Sequence, residues 1–315
     1  MSEKKTIVHK PGELIDFETV FVENPDIKGE PTKTGRVERV DYTTSVYEDG
    51  VTYAKYCNVY LPYCYDPNDE DRKYNVLYYQ HGNTCDPEIF ATPENRAMFD
   101  KLFESGEIDP CIIVSTTYYF DVTKDVEERR RTGQVPAGDG SWPGTKGNFY
   151  REVVESIIPA VELRYHTYLT DGSPESIKAS RDHRAFSGYS RGSVATWNIF
   201  HNDFEYFRWY APMSCHTVAG RGIREKLTPE EVLEYLQQPV HEHPELPFYI
   251  FASNGGPKDV APMTEQMKYI PKGECFSYGT DPNKNNIYFS VSDFTHTDLL
   301  VPFYYYNSLK VLFKG

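Results

Sequence analysis

The sequence has no long apolar segment. No stretch approaches the roughly 18 consecutive apolar residues that a membrane-spanning helix needs, so we expect no membrane partner. The opening residues, MSEKKTIVHKPGE, also lack the apolar run of a signal peptide. We therefore expect a cytoplasmic protein, or a secreted one if a leader has been removed.

Positive charge is scarce. The chain carries 33 Lys and Arg against 47 Asp and Glu, which gives a formal net charge of −14. Nucleic-acid binding requires clustered Lys and Arg to neutralise phosphates. The charge balance therefore argues against a nucleic-acid partner, and it leaves the oligomeric state open.

Paired cysteines are also missing. The six cysteines form no C-x-x-C pair and share no recurring spacing with histidine. Zinc sites and dithiol redox sites have such spacing, so we expect no metal and no cofactor. Cys215 closes the apolar run that begins at Trp209, and we expect it to be a packed core thiol.

The hydrophobic pattern predicts an α/β fold. An antiparallel hairpin is expected from residues 37–47 and 51–61 around the turn Asp49-Gly50. Strands and helices then alternate, which is typical of a mostly parallel sheet with helices on both faces. Strands are predicted at 74–83, 111–119, 183–189, 247–254 and 286–294, and helices at 93–104, 148–165 (kinked or broken at Pro159), 191–201, 260–269 and 298–313. We expect residues 1–35 to form an N-terminal arm and residues 36–315 a single domain.

One short motif organises the rest of the chain. Gly188, Ser190 and Gly192 spell G-x-S-x-G between a predicted strand and a predicted helix. This is the context of the nucleophile elbow of α/β-hydrolases, where a serine sits on a sharp turn. The alternative is a glycine-rich turn that only changes the chain direction. The motif in its context favours Ser190 as a nucleophile.

A histidine and an acid follow in the order that a serine triad has in this fold. Asp259 comes after the predicted strand 247–254, and His296 after the strand 286–294. Serine needs an imidazole to accept its proton, and the imidazole needs a carboxylate to hold its tautomer. A structural role for His296 is the alternative. Asp281 lies in a polar turn where we expect it to be solvated, and Asp293 and Asp298 are too close to His296 in sequence.

Two loops are expected near this constellation. His81-Gly82 ends a strand where hydrolases supply an oxyanion amide; an ordinary strand-end turn is the alternative. Residues 121–146 have no periodicity, and Trp142 within them either caps a ligand cleft or anchors the loop. We expect Trp142 and His81 to contribute to substrate binding.

From about residue 36 to its end, the chain resembles the feruloyl esterases of carbohydrate esterase family 1 (CE1), within the wider esterase D and enterochelin-esterase group. The resemblance is carried by NVLYYQHGN, NFYREVVESIIPAVELRY, GYSRGSVATW, FASNGGPKDVAPM and FTHTDLLVPFYYYNSLKVLF. It implies an α/β-hydrolase fold and a serine esterase with Ser190 as nucleophile, Asp259 as acid and His296 as base.

The resemblance also implies an oxyanion hole made by backbone amides of Asn83 or Thr84 and of Arg191. Two places depart from the family pattern. Members commonly have several glycines after the His-Gly and a Met-Gly-Gly after the serine. This chain has instead His81-Gly82-Asn83-Thr84 and Arg191-Gly192-Ser193.

The expected reaction is hydrolysis of feruloyl or p-coumaroyl esters of plant arabinoxylan, or of its oligosaccharides, through an acyl-enzyme. The 26 tyrosines offer rings on which phenols and sugars could stack. Three alternatives remain: an acetyl xylan esterase, a siderophore-ester hydrolase, and a non-catalytic carbohydrate-binding protein with a hydrolase fold.

Overall fold

The computed structural model describes residues 29–82, 87–90, 93–119, 148–219, 227–255, 259–292, 295–297 and 301–315. Within these residues, eight strands form one sheet: β1 Arg36–Thr44, β2 Tyr53–Leu61, β3 Val76–Gln80, β4 Ile112–Thr116, β5 Arg184–Tyr189, β6 Trp209–Met213, β7 Tyr249–Asn254 and β8 Ile287–Val291. The strand order is β1-β2-β4-β3-β5-β6-β7-β8. The first two contacts, β1 with β2 and β2 with β4, are antiparallel, and the others are parallel. This confirms the predicted α/β-hydrolase fold.

Helices cover both faces of this sheet. They are α1 Pro93–Glu104, α2 (three continuous segments, Phe149–Glu152, Val153–Ile157 and Ile158–Glu162), α3 Pro174–Ala179, α4 Arg191–Asn202, α5 Pro229–Glu242, α6 Ala261–Tyr269 and α7 Val301–Leu309. Helices α2 to α6 pack on one face and α1 and α7 on the other, each against its own apolar cluster. Burial on both faces is what parallel strands require.

The predicted Asp49-Gly50 turn is part of a longer connection. Strand β1 ends at Thr44 and β2 begins at Tyr53, although Val51 N–H does donate to Glu48 O at 3.1 Å. Val46 and Tyr47, inside this connection, are buried. The chain leaves the ladder early because these side chains pack into the domain.

Helix α2 is continuous where the sequence suggested a kink or break at Pro159. Its middle segment, Val153–Ile157, is a π-helix, and Ile158 N–H bonds to Val153 O. Proline lacks an N–H and crowds the preceding turn, and a wider turn accommodates both effects. The helix points two carboxylates, Glu152 and Glu162, into the protein, and both are buried.

The parallel strands end at one common edge. Gln80 pairs with Gly188, Tyr189 with Met213, and Asn254 with Val291. Side chains that follow β3, β5, β7 and β8 therefore meet along this carboxyl edge. Across the described ranges, no helix is both long and apolar enough to cross a membrane.

Candidate active site

Ser190 occupies a strained turn between β5 and α4. Its φ is 56° and its ψ is −112°, a conformation that a residue with a side chain rarely adopts. Its N–H donates to Met213 O at 2.8 Å, which ties the turn to strand β6. The surrounding structure therefore holds the Ser190 side chain above the carboxyl edge.

The glycines of the motif are required by close backbone contacts. A Cβ on Gly188 would lie 2.4 Å from the backbone of Gly192, and a Cβ on Gly192 would lie 1.9 Å from Gln80 O. Neither contact is possible for a real side chain. The G-x-S-x-G spacing is thus explained by packing of the elbow against β3 and α4.

The structure brings Ser190, His296 and Asp259 together. His296 Nε2 lies 3.0 Å from Ser190 Oγ, and His296 Nδ1 lies 2.6 Å from Asp259 Oδ1. An ionised carboxylate only accepts, so Nδ1 carries the proton and Nε2 is left to accept from the serine hydroxyl. Hydroxyl, imidazole and carboxylate in this order can move a proton from Ser190 to His296.

Burial differs along this line of side chains. The His296 side chain is 42 % exposed, whereas that of Asp259 is 0 % exposed. The second Asp259 oxygen, Oδ2, accepts from Gly255 N–H at 2.6 Å. The acid is therefore shielded and fully oriented, and the imidazole faces the space where a substrate can enter.

Asp281, the competing acid that the structure describes, has other partners. Asp281 pairs with Lys284 at 2.9 Å in an exposed turn and accepts from Asn283 N–H. These hydrogen bonds and the Lys284 charge lower the pKa of Asp281. Asp293 and Asp298 lie outside the described residues.

His81 is fully buried, and this changes its expected role. Its Nδ1 lies 2.8 Å from Gly82 O and its Nε2 lies 2.8 Å from Thr117 Oγ1. An imidazole closed off in this way has no exposed edge for a ligand. The prediction that His81 binds substrate is therefore wrong, and the buried imidazole supports its own turn.

Arg191 is the first residue of α4, directly after Ser190. The N–H groups in the first turn of a helix have no acceptor within the helix, so this amide is suited to an oxyanion. The side chain turns inward, with its guanidinium 5.3 Å from the Tyr118 ring centroid. The other predicted oxyanion residues, Asn83 and Thr84, and Trp142 lie outside the described residues.

Sequence reasoning missed an aromatic contact to the base. The Tyr189 and His296 rings stack with centroids 5.0 Å apart and planes 25° apart. The only signal for this contact in the sequence is that Tyr189 directly precedes Ser190. Because the G-x-S-x-G motif allows any residue at this position, the motif does not predict an aromatic ring there. The stacked ring limits the orientations of the imidazole.

Metal-binding groups are absent from the described part of the chain, where no three His, Cys, Asp or Glu residues are placed to hold an ion. Cys215 is buried as expected, and burial raises the pKa of its thiol to about 12. A thiol in that state is a poor nucleophile near neutral pH. This leaves Ser190 as the nucleophile that the site presents.

Comparison with known proteins gives consistent matches to a family model, a curated relative and solved structures. The Esterase family model matches residues 55–215. Endo-1,4-beta-xylanase Y of Acetivibrio thermocellus is 29% identical over 321 residues, covering 99% of this chain and 26% of the relative. The chain thus spans about a quarter of the length of that curated relative.

Two solved structures illustrate the fold-level similarity. A serine-to-alanine mutant of the feruloyl esterase module from Clostridium thermocellum, complexed with sinapinate, superposes with a TM-score of 0.74 at 24% identity, covering 100% of this chain and 96% of the other. A CE1 ferulic acid esterase from Anaeromyces mucronatus, in complex with ferulic acid, gives 0.61 at 18% identity, covering 95% and 98%. At these identities the matches establish the fold.

Proposed function

The chain belongs to the Esterase family, whose model matches residues 55–215, and from that premise we propose that it is a serine esterase acting on hydroxycinnamoyl esters. The observation that carries the proposal is the hydrogen-bonded line from Asp259 through His296 to Ser190. The substrates we propose are feruloyl and p-coumaroyl groups on arabinoxylan or its oligosaccharides.

The reaction begins with attack by Ser190 Oγ on the ester carbonyl carbon. His296 Nε2 takes the hydroxyl proton, while Asp259 stabilises the imidazolium that results. The carbonyl electrons move to oxygen, and backbone N–H groups, that of Arg191 and one after Gly82, stabilise this oxyanion. When the carbonyl re-forms, the ester C–O bond breaks and His296 gives its proton to the departing sugar oxygen, which leaves as a hydroxyl.

Water then releases the acid. His296 takes a proton from a water molecule, whose oxygen attacks the acyl-enzyme carbonyl, and the second tetrahedral intermediate expels Ser190 Oγ. His296 returns the proton to the serine. The products are the free hydroxycinnamic acid and the regenerated hydroxyl.

The choice of acyl group is supported by the relatives. The structures with this fold include proteins described as complexes with sinapinate and with ferulic acid, both hydroxycinnamates. The curated relative of 29% identity is a xylanase, which acts on the polymer that carries such esters. These facts favour a hydroxycinnamoyl ester over the smaller acetyl group.

The test compares acyl groups on one enzyme preparation. We expect kcat/KM for methyl ferulate and methyl p-coumarate to exceed that for methyl acetate by at least about tenfold, because an aromatic acyl group buries far more apolar area. A preference for acetylated xylan would instead assign an acetyl esterase. Binding of feruloylated oligosaccharide without turnover would assign a carbohydrate-binding protein.

Ser190→Ala tests the nucleophile in the same assays. Turnover should fall by at least about 10⁴-fold while the unfolding midpoint stays close to that of the wild type. Ser45→Ala, an exposed serine in the β1–β2 connection, is the matched control and should keep full activity. Retained turnover in the Ser190 variant would refute the mechanism.

A further inference from the structure

A fully buried ion pair lies close to the turn that follows β3. The Lys55 and Glu152 side chains are each 0 % exposed, and Lys55 Nζ lies 2.7 and 2.8 Å from the two carboxylate oxygens. Tyr42 OH also donates to Glu152, at 2.6 Å, and Tyr47 OH makes a further short hydrogen bond to it. Replacing a buried ion pair with apolar side chains is often neutral for stability, so stability alone does not explain this pair.

The ion pair continues into the loop after β4. Lys55 Nζ donates to Thr117 O at 3.0 Å, which gives the ammonium a third acceptor. Thr117 follows β4 directly, and its side chain faces His81, which follows the neighbouring strand β3. Lys55 thus holds the backbone of Thr117, and the Thr117 hydroxyl contacts the His81 imidazole.

The hydrogen bonds define one tautomer of His81. Gly82 O can only accept, so the 2.8 Å contact makes His81 Nδ1 the donor. His81 Nε2 must then accept, and Thr117 Oγ1, which itself accepts from Tyr119 N–H at 3.1 Å, is the donor at 2.8 Å. Each hydrogen bond between Lys55 and the Gly82 carbonyl therefore joins a donor to an acceptor.

Gly82 lies directly against the nucleophile. A Cβ built on Gly82 would be 3.3 Å from Ser190 Cβ and from Tyr189 O. Its carbonyl accepts hydrogen bonds from His81 Nδ1 at 2.8 Å and from Tyr118 OH at 3.3 Å. A carbonyl held by two hydrogen bonds cannot rotate freely. These contacts therefore fix the Gly82 backbone beside the nucleophile.

We propose that Lys55, Thr117 and His81 are positioning residues that hold the Gly82 backbone beside Ser190 for stabilisation of the oxyanion, with Glu152 as their anchor. The proposal rests on the serine esterase function above. It assigns these residues no contact with substrate. Their loss should lower kcat by misaligning a donor that acts in the transition state, and should leave KM nearly unchanged.

Thr117→Val is the main test, because it removes the hydroxyl and keeps the shape. We expect kcat for 4-nitrophenyl acetate to fall about tenfold with KM within twofold of the wild type, and Thr117→Ser to restore most of the loss. Inhibition by phenylboronic acid, whose tetrahedral adduct places an oxygen in the same position, should weaken by a similar factor. Binding of the product ferulate should not change.

Thr167→Val is the matched structural control. Thr167 is buried, donates to Glu162 O at 2.9 Å and accepts from Leu169 N–H at 3.2 Å, the pattern of Thr117, but far from Ser190. It should lower the unfolding midpoint without changing kcat. If Thr117→Val does not fold, Tyr118→Phe removes the other donor to Gly82 O and should lower kcat two- to threefold.

The outcomes separate this proposal from the proposed function. Thr117→Val with wild-type kcat, or an equal loss of kcat in Thr167→Val, would overturn the positioning role while leaving the esterase intact. A wild-type protein inactive on 4-nitrophenyl acetate, or an active Ser190→Ala variant, would instead overturn the esterase itself. A kcat loss confined to Thr117→Val and Tyr118→Phe supports the positioning role.

Discussion

A buried ion pair lies at each end of the parallel strands: one at the amino edge, where the strands begin, and one at the carboxyl edge, where they end. The two pairs are connected differently to the rest of the protein. At the amino edge, Arg184 on β5 makes two hydrogen bonds to Glu162, at 2.7 and 2.8 Å. Its remaining donors reach Ile177 O, Tyr206 O and Ser180 Oγ at 2.8 to 2.9 Å. These hydrogen bonds use all the Arg184 donors, and none of them leads towards Ser190. At the carboxyl edge, the Lys55–Glu152 pair leads on through Thr117 and His81 to Gly82 beside Ser190.

Two buried aspartates, one from each region, also differ in their hydrogen-bond partners. Asp259, at the carboxyl edge, has a hydrogen-bond partner on each oxygen, and one of these partners is the partly exposed His296. Asp203, at the far end of α4 from Ser190, is buried, and its Oδ2 has no partner among the described residues. We infer that changes at the carboxyl edge alter rate and that changes at the opposite end alter stability.

Asp259→Asn should give the largest effect, and it tests whether a change at the carboxyl edge lowers rate without lowering stability. The amide can still accept from Gly255 N–H, but it no longer holds the His296 tautomer or stabilises the imidazolium. We expect kcat to fall by about 10⁴-fold, measured under conditions where the protein is fully folded. The midpoint of urea unfolding should move little. A large loss of stability with modest loss of rate would contradict the comparison.

Arg184→Met tests the other side. Removing the cation leaves Glu162 buried without its partner, which should cost about 3–5 kcal/mol in the free energy of unfolding. Well below the unfolding midpoint, kcat should match the wild type. Arg151→Met removes an exposed pair with Glu155 on the same helix and should cost less than about 0.5 kcal/mol. Equal costs in the two variants would show that burial does not distinguish these pairs.

Asp203→Asn should change stability less than Arg184→Met does, and the size of its effect should depend on pH. Burial, with a smaller contribution from the Glu155 charge, raises the pKa of Asp203 well above its usual value. The folded state therefore holds a proton that the unfolded state loses above about pH 4, so wild-type stability falls as pH rises. The variant should be more stable than the wild type near pH 7, and this gain should shrink towards pH 4. Urea unfolding at several pH values measures it.

Asp171→Asn should change stability in the opposite direction from Asp203→Asn near neutral pH. The Ser173 side chain and backbone N–H lower the pKa of the exposed Asp171 carboxyl. Its stabilising contribution is present above the unfolded-state pKa and is lost as pH falls. Replacing it should therefore reduce stability slightly near neutral pH. A pH-independent difference between the Asp203 variant and the wild type would show that Asp203 does not titrate between the two states.

The fold and the three converging residues could be predicted because they follow from local patterns. Gly188, Ser190 and Gly192 lie within five positions, and the residues after consecutive parallel strands must meet at one edge. The predicted strands are longer than the observed ones; residues 74–83, for example, contain the strand Val76–Gln80. Buried side chains such as Tyr74 lie outside the ladder, so the hydrophobic pattern alone does not mark where a strand begins or ends.

The supporting network could not be predicted in this way. Lys55 and Glu152 are 97 positions apart, and His81 and Thr117 are 36 apart. No spacing rule relates them, and a lysine in a strand normally indicates an exposed face. The position of His81 after a predicted strand favours a role at the site. Its burial, however, depends on Tyr118 and Tyr119, whose rings pack on the imidazole and which are distant in sequence.

Helix α2 places a constraint on how this protein can change over evolution or be redesigned. It supplies Glu152 to one edge of the sheet and Glu162 to the other, ten residues and about 15 Å of helical rise apart. Inserting or deleting one residue between them would rotate one carboxylate by about 100° and leave either Lys55 or Arg184 without its counter-charge. We therefore expect length variation among descendants of this chain to accumulate in its loops, while the span from Glu152 to Glu162 keeps its length.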